Sequence, residues 1–252
     1  MAAVVAGVAA TVLAACGGDG QVDAGTPLPG RLVPSDRLPK GFTVVPYQVD
    51  DMIAANRSTL EQAERVGFAP AQCRPTADAA FNPKLTEENT VLLVAQSDPG
   101  TQSDPGTQSG SGTLTELVST VRRNIDADRR DTSGPCRVVT STPTTGALAG
   151  ARIVNTSTEL PALRGGPAVG EEVEQAYLVR TDSVTTFADG SVRARSSYLA
   201  NVLVASPDGQ VFTLQLGASG EDASETSRGE PPISEGAFTD LVRSAVERVA
   251  QP

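Results

Sequence analysis

Gln175–Ala218 reads QAYLVRTDSVTTFADGSVRARSSYLANVLVASPDGQVFTLQLGA, a β-rich segment that two turn sequences interrupt. These are Ala-Asp-Gly, ending at Gly190, and Pro-Asp-Gly, ending at Gly209. Around the second turn the alternation divides the large apolar side chains between two faces: Leu199 and Leu203 on one, and Phe212, Leu214 and Leu216 on the other. The segment predicts a meander of three or four antiparallel strands, one face of which other elements must cover.

Two further segments have β character. The sequence CRVVTSTPTTGALAGARIVNTST, which begins at Cys136, holds two β-branched runs around a Gly-containing bend. Upstream, NTVLLVAQ at Asn89–Gln96 precedes GTLTELVSTVRR, which begins at Gly112. The apolar residues of this last run also match helical spacing. We favour a strand, because it would form a local hairpin with the preceding run.

Two helices are predicted to cover the sheet. In ISEGAFTDLVRSAVERVAQ, Ser234 is an N-cap and the apolar residues recur at helical spacing: Phe238, Leu241, Val242, Ala245, Val246 and Val249. Val49–Gly67 is a second candidate, with Gly67 as its stop. We therefore expect an α+β fold over residues 32–252, a single domain with a mainly antiparallel sheet covered by an N-terminal and a C-terminal helix.

The composition and net charge of the chain limit the kinds of molecule it can bind. The chain has 252 residues, of which 39% are hydrophobic and 20% charged, enough apolar material for the core of one domain. Its formal net charge is -10. Nucleic acid is excluded as a partner, because phosphate backbones are bound by clusters of Lys and Arg. Adsorption to anionic lipid through a basic patch is disfavoured for the same reason.

The N-terminus predicts a lipid anchor. The apolar run Ala2–Ala15 is too short to cross the ~30 Å hydrocarbon core as a permanent helix, and indicates a signal peptide at residues 1–15. The sequence Leu-Ala-Ala-Cys ending at Cys16 resembles the bacterial lipobox, which implies that Cys16 is acylated and becomes the mature N-terminus. The lipobox pattern includes upstream basic residues, whereas the first here is Arg31, so we expect translation to start upstream. Residues 16–31, rich in Gly, Asp and Pro, are predicted to be a flexible tether.

The two other cysteines are Cys73 and Cys136. In an exported protein an even pair favours a disulfide over a metal or redox site, although two buried free thiols are the alternative. Closing a loop of about 64 residues would stabilise the fold by roughly 4 kcal/mol in the chain-entropy model.

A tandem repeat separates the two runs of the predicted hairpin. Residues 96–113 contain Gln-Ser-Asp-Pro-Gly-Thr twice and a decayed third copy. One copy already supplies the Pro and Gly of a type II turn, so the others are redundant and we interpret them as a duplication scar. A calcium site using Asp98 and Asp104 is the alternative, but it lacks the dense ligand spacing of known loops. We therefore predict that residues 102–113 are dispensable.

Few residues suggest catalysis. Because the chain has no histidine, Ser-His-Asp and Cys-His machinery and His-ligated zinc are excluded. Two acidic groups could supply a carboxylate pair: Glu171, Glu172 and Glu174, and Asp126, Asp128 and Asp131. Both groups have the sequence character of solvated loops. We predict no catalytic, cofactor-binding or metal-binding residue.

The layout of the chain resembles actinobacterial envelope lipoproteins related to the extracytoplasmic sensor domain of PknH-type protein kinases. The resemblance covers about Leu38 to Val249 and rests on the lipobox, LPKGF at Leu38–Phe42, FAPAQC, GPCRVV, AYLVR, YLANVLVASPDGQVFTL and LVRSAVERV. It implies a sensor-like domain on the extracytoplasmic face of the cell membrane. The kinase sensor domain has more than one disulfide, whereas this mature chain offers one pair.

Two functions from different classes fit these observations. The first is a non-catalytic, lipid-anchored envelope protein that binds a small or lipidic ligand, or a partner protein. We expect it to have a large apolar cleft without clustered acids. The second is a carboxylate-dependent extracytoplasmic hydrolase, which requires two carboxylates about 5 to 10 Å apart in a groove.

Overall fold

The computed structural model describes residues 27–74, 81–97, 112–163, 172–221, 223–224 and 229–251. The predicted signal peptide and Cys16 lie outside them. The helices of the described part are α1 Val49–Ala63, α2 Ile125–Thr132 and α3 Glu235–Ala250. Its strands are β1 Phe42–Val45, β2 Val66–Ala69, β3 Thr90–Ser97, β4 Gly112–Ser119, β5 Val138–Pro143, β6 Arg152–Glu159, β7 Val173–Thr186, β8 Val192–Ala205, β9 Val211–Gly220 and β10 Ala223–Ser224.

These strands form one antiparallel sheet in the order β1-β3-β4-β9-β8-β7-β6-β5-β2, with β10 paired to β8. The predicted α+β class, with a mainly antiparallel sheet and helices toward both ends of the chain, is confirmed. The longest strands, β7 and β8, lie near the middle of the order, and their pairing is the longest ladder of the sheet described here.

Strands β7 to β9 are the predicted meander, and β5 and β6 are the two β-branched runs that precede it. Each is antiparallel to the next, and both predicted turns are present, with Gly190 at φ 85° and Gly209 at φ 82°. In each turn the Asp carboxylate accepts a hydrogen bond from the backbone N–H two residues later, at 2.9 Å for Asp189 and 3.1 Å for Asp208. The local chemistry of Asp-Gly thus sets both reversals, as the sequence predicts.

The strand interpretation of the run after the repeat is also confirmed. β3 and β4 pair from Thr90 opposite Ser119 to Ser97 opposite Gly112. The predicted loop at 96–113 is too long, because residues 96–97 and 112–113 belong to the strands. The Ser97 hydroxyl extends the ladder by accepting a hydrogen bond from the Gly112 N–H at 2.9 Å. Asp98 and Asp104 lie outside the described residues.

Helix α3 covers one face of the sheet and forms the main core with it. Its N-cap is Ser234, as predicted, whose Oγ accepts a hydrogen bond from the Ala237 N–H at 3.2 Å. All six predicted apolar positions of the helix are buried. They pack on even-numbered residues of β8 and β9, and the Phe238 ring stacks on Tyr198 with 5.0 Å between centroids. Burying each large side chain contributes roughly 1.5–3 kcal/mol.

Three glycines let the segment before α3 lie directly on the sheet. A Cβ at Gly220 would stand 2.3 Å from the Glu230 carbonyl oxygen, and one at Gly229 would stand 2.3 Å from the Ala194 carbonyl oxygen. A Cβ at Gly112 would stand 2.6 Å from the Pro232 Cβ. Since no side chain fits at these distances, the glycines fix the height at which α3 begins above the core.

The N-terminal segment packs on the same face. The Arg31 side chain is 3% exposed and donates hydrogen bonds to the carbonyls of Val249 and Gln251, at the C-terminal end of α3. Its guanidinium also lies over the Phe212 ring, 4.2 Å from the centroid. A cation at the end of a helix stabilises the free carbonyls there. Contact with the domain therefore begins before residue 32, and the predicted tether at 16–31 is too long by the turn Leu28–Arg31.

The opposite face, which we call the open face, carries α1 beside β3 and α2 beside β7. Helix α1 confirms the predicted N-terminal helix but ends at Ala63. The prediction that Gly67 stops this helix is wrong, because Gly67 lies within β2, opposite Thr142 of β5. A four-residue strand is too short to give a clear pattern in the sequence. β2 forms because it pairs with β5.

The predicted disulfide between Cys73 and Cys136 is present, with 5.3 Å between the Cα atoms. Both cysteines are buried and pack with Val139. The bond joins the turn that follows β2 to the turn that precedes β5, so it holds the edge pair of the sheet together.

Two deletions test the boundaries of the repeat. Removing residues 102–111 leaves four residues between Ser97 and Gly112, a common hairpin length. Shortening the connection from 14 residues lowers the closure cost by about 1 kcal/mol. We expect a thermal midpoint that is unchanged or raised by up to about 4 °C.

Removing residues 102–113 instead leaves Gly100 and Thr101 directly before Leu114, in the places of Gly112 and Thr113, so that only the two residues Asp98-Pro99 would connect the strands. A two-residue hairpin turn needs a positive φ at its first residue, which strains Asp, and the fixed φ of Pro excludes a type I′ turn. We therefore expect a cost of about 1–3 kcal/mol and a midpoint lowered by about 2–12 °C. Equal midpoints for the two deletions, measured by circular dichroism, would contradict the boundary that the structure gives.

Candidate functional site

The open face is not fully covered in its middle. Odd-numbered residues of β4, β9 and β8 point to this face, and Thr115, Gly217 and Leu199 are neighbours there through the strand pairing. Thr115 is exposed, whereas Gly217 and Leu199 are half-buried. A Cβ at Gly217 would stand 2.7 Å from the Thr115 hydroxyl. The floor between α1 and α2 is therefore made of small and polar groups.

A pocket of about 500 Å³ opens on this face, over strands β5 to β8. We call it the arginine pocket. Its polar lining is Ser141, Asn155, Ser183, Thr185, Arg193 and Arg195. Its apolar lining is Ala147, Leu148, Ile153 and Phe187.

Strand register brings the polar side chains together. Ser183 and Thr185 of β7 lie directly opposite Arg195 and Arg193 of β8. Asn155 of β6 lies opposite Ser183 on the other side of β7. Because side chains alternate along a strand, these residues share one face with Leu199 and Leu203. The predicted alternation in this segment thus also places the two arginines.

The bend between β5 and β6 forms one rim of the pocket. Gly146 and Gly150 both have φ 78°, a left-handed conformation that favours glycine. Between them the chain carries Ala147 and Leu148 to the pocket, and Leu148 is 38% exposed. An apolar side chain therefore stands at the entrance.

The charge of the arginine pocket is opposite to that of the whole chain. Among the residues that the structure describes, its lining includes two arginines and no carboxylate, in a chain with a net charge of -10. The Arg193 guanidinium lies over the Phe187 ring, 5.3 Å from the centroid. The Arg195 side chain makes no hydrogen bond or ion pair with any residue that the structure describes.

The arrangement differs from the apolar cleft that we expected of a binding protein. Ser, Thr, Asn and Arg side chains line most of the pocket, and the apolar residues are grouped near its rim and Phe187. Such a surface can bind a polar ligand through hydrogen bonds and charge, with a smaller apolar contact.

Comparison of the chain with family models, curated protein sequences and solved structures found no match. Among the residues that the structure describes, none of the helices combines the length and the apolar character needed to cross a membrane.

The acidic group Asp126, Asp128 and Asp131 is not a solvated loop. It lies in α2, whose N-cap Asn124 accepts a hydrogen bond from the Ala127 N–H at 3.0 Å. The Asp128 side chain is only 7% exposed, because Arg123 neutralises it. The prediction of a loop is therefore wrong: a good N-cap and a buried ion pair stabilise this short helix.

A buried polar network surrounds Asp128. Arg123 donates to both carboxylate oxygens, at 2.6 and 3.0 Å, and Asn201 donates to one of them at 2.9 Å. Gln215 in turn donates to the Asn201 side-chain carbonyl at 3.0 Å. With these partners the carboxylate is fixed as an acceptor, so it joins α2 to β8 and β9 and is not placed to take a proton from a substrate.

The second acidic group is dispersed. Glu174 is paired with Arg122 at 2.7 Å, and Asp126 of the first group accepts a hydrogen bond from Gln175 at 2.6 Å. The Glu172 Oε2 atom is buried without a partner among the described residues, and Glu171 lies outside them. No cluster of three potential metal ligands occurs in the described part of the chain.

Glu116 is a buried carboxyl group that the sequence analysis missed. It lies on β4 on the α3 side of the sheet, 3% exposed, and its Oε2 accepts a hydrogen bond from the Val33 N–H at 3.0 Å. Its Oε1 has no partner among the described residues. Burial raises the pKa of Glu116 to about 7, although the hydrogen bond from Val33 opposes the shift. The signal in the sequence is a Glu at an inward position between Leu114 and Val118.

Replacing Glu116 with Gln tests this assignment. A carboxyl group whose pKa rises on folding from 4.5 to about 7 stabilises the protein fully below 4.5 and loses that contribution as the pH rises through 7. The shift corresponds to roughly 3 kcal/mol. In urea unfolding, Glu116→Gln should therefore gain stability relative to the parent between pH 4.5 and 8, by up to about 3 kcal/mol.

Glu88→Gln, which removes an exposed carboxylate outside any ion pair of the described residues, is the control and should leave the shape of the pH profile unchanged. Parallel profiles for Glu116→Gln and the parent would show that Glu116 does not titrate in this range.

Proposed function

We propose that this chain is a non-catalytic, lipid-anchored protein of the extracytoplasmic face of the cell membrane, and that it binds a small ligand in the arginine pocket. The observation that carries the proposal is the pocket itself: about 500 Å³ on the open face, with hydroxyl, amide and guanidinium groups converging from four neighbouring strands. The resemblance to sensor-domain lipoproteins supports the same class of function.

The acidic residues support binding over hydrolysis. Asp128 is held by Arg123 and Asn201, and Glu174 is held by Arg122. A glycosidase-type mechanism needs two carboxylates that face each other across a groove. Glu116, whose pKa lies near neutrality, is on the α3 side of the sheet and not in the pocket. The carboxylate-dependent hydrolase is therefore the weaker alternative.

The anchor rests on the Leu-Ala-Ala-Cys motif that ends at Cys16. Eleven residues, 16–26, separate the described domain from that anchor. Even fully extended they span at most about 40 Å. If Cys16 is acylated, the domain is held within that distance of the membrane surface.

Replacing Cys16 with Ala should release the protein from membranes. The parent should stay in the membrane fraction after a high-salt wash, and its N-terminal peptide should carry the mass of a diacylglyceryl group. Washing with salt matters because it removes proteins that are held by charge alone. Retention of Cys16→Ala in the washed membrane would contradict the anchor.

A substitution that fills the pocket tests ligand binding. Ser183→Trp places a large side chain on the pocket floor, whereas Val184→Trp places the same side chain on the opposite face of β7, where Val184 is 41% exposed. In native mass spectrometry of protein from its own membrane, the parent and Val184→Trp should retain a small molecule that Ser183→Trp loses. The proposal fails if all three proteins retain the molecule, or if the parent retains none.

A further inference from the structure

We infer that the arginine pocket recognises a phosphate-type oxyanion, carried by a phosphate ester or by the headgroup of an anionic phospholipid. This inference deepens the function proposed above and depends on it. Arg195 and Arg193, supported by hydroxyl groups on β7, are the residues that bind the anion.

The two arginines are spaced for one ligand. They are two residues apart on β8 and project from the same face, so their Cα atoms are about 7 Å apart. Opposite Arg195 is Ser183, and opposite Arg193 is Thr185. Each arginine therefore has a hydroxyl-bearing residue opposite it on the same face, and the planar guanidinium presents N–H groups that match the oxygens of phosphate.

Arg180 shows how an arginine is neutralised elsewhere in the same strand pair. It lies on β7, on the other face, and donates to Asp182 at 2.9 Å. Ser196 also donates a hydrogen bond to the Asp182 carboxylate, and the charges of Arg180 and Asp182 neutralise each other. Arg195, one residue along from Ser196 on the open face, has no carboxylate partner among the described residues. An external anion would supply the missing negative charge.

The number of donors favours phosphate over carboxylate. A single arginine already satisfies the two oxygens of a carboxylate through a bidentate contact. Two guanidinium groups from β8 and the hydroxyl groups of β7 offer more donors than a carboxylate can use. This number fits a tetrahedral anion with three or more oxygens. The geometry thus selects an anion that is larger than a lone carboxylate.

Apolar groups at the same pocket indicate that the anion carries an attached neutral part. The Arg193 guanidinium lies over the Phe187 ring, 5.3 Å from its centroid. Ile153 lies opposite Thr185, the residue that separates it from Arg193 across the strands. Leu148 stands at the rim. A phosphate bound by the arginines would place its substituent against these side chains, as a phosphate ester or a glycerophospholipid headgroup requires.

The first test is calorimetric titration with inorganic phosphate at fixed ionic strength, using the full chain with Cys16→Ala. Arg195→Gln and Arg193→Gln should each weaken binding about tenfold, because each removes a charge-assisted contact. Arg195→Lys should restore part of the affinity, since it keeps the charge but loses the planar guanidinium. Arg152→Gln is the matched control, because Arg152 is an exposed arginine of β6 on the other face of the sheet.

The second test distinguishes the two sources of phosphate. The same proteins are sedimented with vesicles of phosphatidylcholine and phosphatidylglycerol in a 3:1 ratio, and with vesicles of phosphatidylcholine alone. Binding to the mixed vesicles that Arg195→Gln abolishes and inorganic phosphate competes away identifies a lipid headgroup. Phosphate binding in calorimetry without vesicle binding identifies a soluble ester. Either result supports the inference.

The inference is overturned if the parent binds neither phosphate nor the mixed vesicles, or if Arg152→Gln weakens binding as much as Arg195→Gln, since that result means unspecific attraction. Failure of this inference can be distinguished from failure of the proposed ligand-binding function by two variants. If Ser183→Trp loses the co-purifying molecule and Arg195→Gln keeps it, the pocket binds a ligand but does not recognise an oxyanion. If Ser183→Trp keeps the molecule, the pocket is not the ligand site.

Discussion

Helix α3 packs on the even-numbered side chains of β8 and β9. This packing determines which face of the sheet each of the remaining side chains on these two strands points to. Val202, Val204, Leu214 and Leu216 are at most 2% exposed beneath the helix. Because successive side chains point to opposite faces, a shift of one residue would bury the odd-numbered set instead. That set includes Asn201, whose burial under α3 away from Asp128 and Gln215 would be unfavourable, and Arg193 and Arg195, which would change faces with it. The same constraint that builds the core therefore holds both arginines on the open face.

Much of this fold can be predicted from local pattern. The hairpin of β3 and β4, the strands from β5 to β9 and helix α3 each have a clear period, with turns or a cap at their ends. The elements that the sequence did not indicate, β2 and α2, are short and depend on distant partners. β2 exists because it pairs with β5, and α2 packs on β7 because Arg123 and Asn201 bind Asp128. The β2–β5 pairing and the hydrogen bond from Asn201 to Asp128 join residues tens of positions apart, and no local window contains them. The contact between Arg123 and Asp128 is local, but the sequence does not show that it is buried.

The candidate site was predictable in one part only. Alternation in VRARSSYLA puts Arg193 and Arg195 on the face of Leu199, and two such arginines are unusual in an acidic chain. The sequence does not show that Ser183 and Asn155 stand beside them, because that requires the register of β6 and β7. Nor does the sequence show that Asp128, within the acidic run from Asp126 to Asp131, forms a buried ion pair with Arg123. A dense acidic run and a functional acidic site look alike until the partners are known.

The two faces of the sheet have separate roles in this arrangement. The N-terminal segment is fixed on the α3 side, where Arg31 binds the carbonyls at the end of the helix and Val33 binds Glu116. The arginine pocket opens on the other side, over strands β5 to β8. The membrane attachment proposed at the N-terminus would therefore not compete with the pocket for the same surface. Because the polypeptide reaches the domain on one face and the ligand is proposed to bind on the other, an anchored domain could keep its pocket accessible from either the membrane surface or the surrounding medium.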